Sequence, residues 1–161
     1  MDQVDRLCEV LNEEARLCGI LTGVLRDEQQ AVVKLKPEAI LACLEQRSLL
    51  AEQLAGLATT RRDLVRAVGE ARGAAPQRAI EVLPLLPPEP QNRLRGQLRE
   101  LRRALLEARG LERQNAILAG AGLENVNDIL RALRALIPGA RYGADARMAV
   151  LDGSDRLNQR A

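Results

Sequence analysis

The chain has no histidine, phenylalanine or tryptophan, and Tyr142 is its single tyrosine. Without histidine the commonest general base at neutral pH is missing. Without Phe and Trp the side chains that stack on unpaired bases are missing too. The scarcity of aromatics also argues against strands, which favour them. Cys8, Cys18 and Cys43 follow no metal-ligand spacing and build no disulfide framework. Each falls among apolar helical positions, where cysteine acts as a small hydrophobe, and a reducing cytoplasm is the simple expectation. No apolar run approaches the roughly 18–20 residues that cross a bilayer. The opening MDQVDRLCEVLNEE is acidic and periodic, unlike a signal peptide. There is no glycine-rich phosphate loop, no nucleophile elbow and no CxxC pair. The expectation is a chain with no catalytic residues, no cofactor, no metal and no membrane insertion.

What remains is helix-forming. Hydrophobic residues make up 47% and charged residues 29% of 161 residues, with Leu, Ala, Arg and Glu prominent. That balance suits long amphipathic helices and coiled coils. The net charge of +2 comes from 24 basic and 22 acidic residues, well mixed, and does not by itself call for an acidic partner. The fold class read from the sequence is all-α, an elongated antiparallel bundle with coiled-coil-like packing. One helical domain spans 1–137, with helices at about 2–35, 37–69, 77–83 and 89–137. The last is open to a break near 120–122, where two glycines each lower helix stability by about 1 kcal/mol against alanine. Residues 138–161 read as a flexible tail.

The first two helices share a register. Val4, Leu11, Cys18, Leu25 and Val32 recur every seventh residue, as do Leu7, Glu14, Leu21, Glu28 and Leu35. The second helix offers Ile40, Arg47, Leu54, Arg61 and Val68, with Cys43, Leu50, Leu57 and Leu64. These are heptad core positions. Folding the chain back at Lys36–Pro37 makes the numbers of facing residues add to a constant. A sum of 75 sets Leu25 against Leu50, Leu21 against Leu54 and Leu11 against Leu64. The same sum sets Glu28 against Arg47 and Glu14 against Arg61. Such pairs add little stability when buried, because desolvation offsets attraction. Their expected use is to set register, since a slip would put charges against leucines.

Two further stretches carry weight. Leu123, Val126, Ile129, Leu130, Leu133, Leu136 and Ile137 cover an arc of about 140° at 100° per residue. Glu124, Asn127, Asp128, Arg131 and Arg134 occupy the other side. This face is wider than a two-helix seam needs, so it can bury one edge on its own bundle and offer the other to a partner helix; on periodicity alone, burial of the whole face in the bundle core stands equally open. The stretch from Arg93 to Arg113 is Arg-rich, with Glu100, Glu107 and Glu112 nearby. A solvated helix face accounts for it more simply than nucleic acid does. Asn115 falls on the apolar stripe of the third long helix, where a buried Asn commonly sets helix pairing.

The ordered combination of these motifs resembles the FlgN-like flagellar export chaperones. The likeness lies in EAILACLEQRSLLAEQLAGLATTRRDLVRAVG, in VLPLLPPEPQNRLRGQLRELRRALLEARGLERQNAIL and in NVNDILRALRALIPGARYGADA. Arg47 stands where that family usually has Lys, and the segment after Tyr142 lacks the usual closing Gly. The resemblance implies a cytoplasmic protein that binds C-terminal helical segments of hook–filament junction proteins. It implies that the chaperone keeps these unassembled and delivers them to the cytoplasmic domain of the flagellar export gate. By position, Leu123, Val126, Ile129, Leu130, Leu133, Leu136 and Ile137 would form much of the substrate-protein groove, and Tyr142 would contact the gate. A structural coiled-coil adaptor or self-assembling bundle is the competing reading, and a homodimer through the same apolar face is open.

Overall fold

The computed structural model describes residues 2–136 and, beyond them, the strand residues 141–142 and 148–149. The described chain is helical in its three long elements: α1 Gln3–Val33, α2 Pro37–Glu70 and α4 Pro88–Leu136, with a one-turn α3 at Ala79–Val82 and a 3-10 turn at Leu83–Leu85. The class is an all-α bundle of long helices packed on one another. A short antiparallel pair, β1 Arg141–Tyr142 and β2 Met148–Ala149, sets Arg141 opposite Ala149 and Tyr142 opposite Met148. The rest of the expected tail, and Ile137, lie outside the described residues. The chain divides into two units, Met1–Leu118 and Ala119–Ala161.

Within the first unit α1 is the central helix. It buries Val4, Leu7, Leu11, Cys18 and Leu25 on the expected stripe, and Leu17, Val24 and Ala31 on a neighbouring one. The second stripe also recurs every seven residues. Two stripes are needed because α1 has packing neighbours on two sides. One cluster joins Val4, Leu7, Leu11 and Cys18 to Val65 and Val68 of α2, to Ala79, Val82 and Leu86 of the connector, and to Leu94 and Leu101 of α4. A second joins Leu17 and Val24 to Cys43 and Leu50, with Leu21, Leu54 and Leu57 against them. Full burial of each such aliphatic side chain contributes roughly 1.5–3 kcal/mol.

The connector is tight. Gly69 ends α2 where a methyl group would collide with the Pro76 ring and the Ala74 carbonyl. Gly73 takes φ +70, and the Ala74 amide donates to the Gly69 carbonyl at 2.9 Å. That pattern closes a helix through a left-handed residue. The Gln91 side-chain amide donates to the Leu83 carbonyl at 3.0 Å and ties the 3-10 turn to α4. Pro88 and Pro90 sit in the first turn of α4, where their missing donors have no intrahelical role.

One expected helix end differs from the structure, and the break left open near 120–122 does not form. α1 stops at Val33, and Leu35 is not a core residue: it is 84% exposed at φ 51. Pro37 disfavours helical geometry just before it, so the chain reverses through Leu35, and the Lys36 amide donates to the Ala31 carbonyl at 2.9 Å. At the other end, α4 passes through Gly120-Ala121-Gly122 without a break. Strong helix formers on both sides outweigh the two glycines.

A leucine in the left-handed region costs about 1–2 kcal/mol, while glycine gives back part of that through unfolded-state entropy. Leu35→Gly is therefore expected to raise unfolding free energy by roughly 0.5–1 kcal/mol. Urea titration checks this, and a loss of stability would mean that the Leu35 side chain holds the turn.

Candidate functional site

Two arrangements stand out: a half-buried polar network that links the helices, and an exposed apolar face on the last part of α4.

The network begins with the charges that interrupt the leucine stripes. Arg61 Nη1 donates to Glu14 Oε2 at 2.8 Å, and Arg47 Nη1 donates to both Glu28 oxygens at 3.0 Å. The carboxylate side chains keep 4% and 10% exposure, while both arginines keep 30% and reach solvent at one edge. Long arginine stems allow this, covering the seam while the head stays wet. Burial pushes the Glu14 carboxyl above its ordinary value, and Arg61 pulls it back only in part. Attraction across this pair therefore does not fully offset desolvation.

The second pair is larger than its two members. Asn115 of α4 donates from Nδ2 to the Leu25 carbonyl at 2.8 Å and to Glu28 Oε2 at 3.2 Å. Arg47 also lies 3.9 Å from Glu112 of α4. The amide orientation follows from chemistry, because reversal would face its oxygen toward two acceptors. Asn115 Oδ1 is left buried without a described partner. Asn115 was legible as a stripe position, in step with Leu94, Leu101 and Ala108. Its attachment to Glu28 was not, because nothing in heptad spacing says which acceptor a buried amide meets.

In the second unit, the apolar arc of α4 is open. Leu123 is 67% exposed, Val126 53%, Ile129 59% and Leu130 36%. Leu133 and Leu136 continue the same helix; their side chains, like that of Tyr142 in β1, lie outside the described residues, as does Ile137 altogether. Opposite the arc, Arg131 donates to Asp128 at 3.1 Å. Such a face can bind an amphipathic helix through anchors three and four residues apart.

Among the described residues no cluster of His, Cys, Asp and Glu could hold a metal ion, and no helix is long and apolar enough to cross a membrane. An open cleft of about 540 Å³ is lined by Asp5, Cys8, Glu9, Asn12, Arg93 and Gln97. Arg93 pairs there with Asp5 at 2.9 Å. Burial pushes the Cys8 thiol up, which keeps it protonated and a poor nucleophile.

A family model described as FlgN protein matches residues 1–149, a span that includes the network, the exposed arc and β1. No match is found among curated proteins or among solved structures.

Two measurements test the network. Arg61→Glu should destabilise by about 3 kcal/mol, because two carboxylates then share one seam. Adding Glu14→Arg should restore part of that loss; full additivity of the two single effects would show that the pair is not coupled. For pH, a carboxyl raised in the folded state binds its proton more tightly there than when unfolded. Its contribution is complete below the ordinary glutamate range and is lost as pH rises through the raised value. Relative to Glu14→Gln, the parent protein should therefore lose stability as pH rises from about 4.5. A difference that is flat or opposite in sign would contradict the burial argument.

Proposed function

The chain belongs to the FlgN protein family, a family of flagellar export chaperones, and on that premise we propose that it binds the C-terminal helical segments of hook–filament junction proteins. In this reading it works in the cytoplasm, keeps those segments unassembled, and delivers them to the cytoplasmic domain of the export gate. It acts by binding rather than by catalysis.

The observation that carries the reading is the exposed arc Leu123, Val126, Ile129 and Leu130. Clustered aliphatic side chains left in water offer roughly 1.5–3 kcal/mol each when a partner covers them fully. A client segment that is disordered before assembly can order on such a face. Leu133, Leu136 and Ile137 extend the groove in this proposal. Tyr142, by position in the family pattern, contacts the gate. Glu14 with Arg61 and Glu28 with Arg47 serve as register-setting pairs that keep the hairpin in one alignment.

The test is calorimetric titration with peptides covering about 40 C-terminal residues of the junction proteins, long enough to hold a helical segment with its flanks. Binding should show a negative heat-capacity change. Ile129→Asp with Leu133→Asp should weaken it by about 100-fold or more while leaving the helical bundle folded. Absence of binding, together with a stable oligomer at every concentration, would favour a self-assembling bundle whose second copy covers the same arc.

A further inference from the structure

Five arginines of α4 have an unusual electrostatic position. Arg95, Arg99, Arg102, Arg109 and Arg113 are all exposed. At 100° per residue they fall within an arc of about 80°, and the stripe runs for about 27 Å. Leu106 and Ile117 lie on the same stripe and are 59% and 68% exposed. The opposite side of the helix is buried through Leu94, Leu101, Ala108 and Asn115. The helix's own carboxylates in this stretch are engaged elsewhere. Glu100 pairs with Arg103, Glu107 with Arg26, and Glu112 lies beside Arg47. None of the five arginines has a described carboxylate within salt-bridge distance, and Arg95 reaches only the Asn92 side-chain oxygen at 3.4 Å.

We propose that this stripe docks an acidic helix of a partner protein, with carboxylates at three- and four-residue spacing and aliphatic residues level with Leu106 and Ile117. Guanidinium forks match carboxylates bidentately. The spacing of the arginines is that of one helix face, which another helix can follow side by side. The two exposed aliphatic side chains decide the class of partner. They gain nothing against a phosphate backbone and do gain against a helix. The surface shares no residue with the arc assigned to the junction proteins, so its occupant can be present with or without a client.

The test uses the full chain and a fluorescein-labelled helical peptide of about three heptads, bearing Glu at the matching positions and Leu at the two aliphatic levels. A scrambled peptide of equal composition and a duplex DNA serve as competitors. Anisotropy should show binding of the designed peptide that weakens with added salt. Arg95→Gln, Arg102→Gln and Arg109→Gln together should weaken it at least about tenfold. A variant with the same charge change elsewhere, Arg6→Gln with Arg16→Gln and Arg66→Gln, should bind as the parent does. Ile129→Asp with Leu133→Asp should also leave it unchanged, which separates this surface from the client arc. The proposal is overturned if the scrambled peptide binds equally well, if the stripe variant binds like the parent, or if duplex DNA binds more tightly and displaces the peptide.

Discussion

A carboxylate taken out of water has to find cations and donors nearby, and Glu28 finds them on two other helices. Arg47 supplies two hydrogen bonds from α2, and Asn115 supplies one from α4. Aliphatic packing alone tolerates many registers, because one leucine layer resembles the next. A buried carboxylate does not tolerate them: a slip of α2 by one heptad would set it against Ile40 or Leu54, and a slip of α4 would replace Asn115 by Ala108 or Gly122, and losing its partners costs several kcal/mol. The role proposed for the network is thus to choose among arrangements that the hydrophobic effect stabilises about equally.

The hairpin was readable in advance for the same reason. Glu14 and Glu28 are separated by fourteen residues, as are Arg47 and Arg61, so a single fold-back aligns both pairs. Identical leucines would have carried no such information. What escaped the reading depends on three-dimensional neighbours rather than on spacing. The stripe Leu17, Val24 and Ala31 has heptad spacing, and Leu17 and Val24 pack on Cys43 and Leu50 of α2, while the first stripe also meets the connector and α4; the sequence does not say how many neighbours α1 has. Leu35 continues the heptad count yet leaves the core, because the local demand of Pro37 ends the helix first. Gly120 and Gly122 leave both a break and a continuous helix open in the sequence, and a propensity loss of about 1 kcal/mol each is small beside the cooperativity of a long helix.

The missing aromatics shape what binding can look like. Interface hot spots are enriched in Trp, Tyr and Arg, and this chain has no Trp and one Tyr. Leucine, isoleucine and valine must supply the apolar contacts, and arginine the directional ones. Aliphatic side chains give contact area without deep single anchors, so a partner has to engage several turns of helix at once. Long continuous helices suit that demand, because the exposed residues of α4 are already ordered and the ordering entropy falls on the partner alone.

In the two roles proposed for α4, its exposed surfaces differ in the physics they offer. The arc Leu123, Val126, Ile129 and Leu130 works through water release, which salt does not screen and which excluded salts strengthen. The stripe from Arg95 to Arg113 works through charge, which is screened within about 10 Å at moderate ionic strength. Contacts of the first kind are slow to break once formed, because dissociation must re-expose apolar area. Contacts of the second kind form quickly by steering and also exchange quickly. A chaperone that delivers its client, as proposed, has to hold one partner while engaging and releasing another. Placing slow apolar contacts and fast ionic ones on separate residues of one helix meets both requirements, because strengthening either leaves the other's rate unchanged.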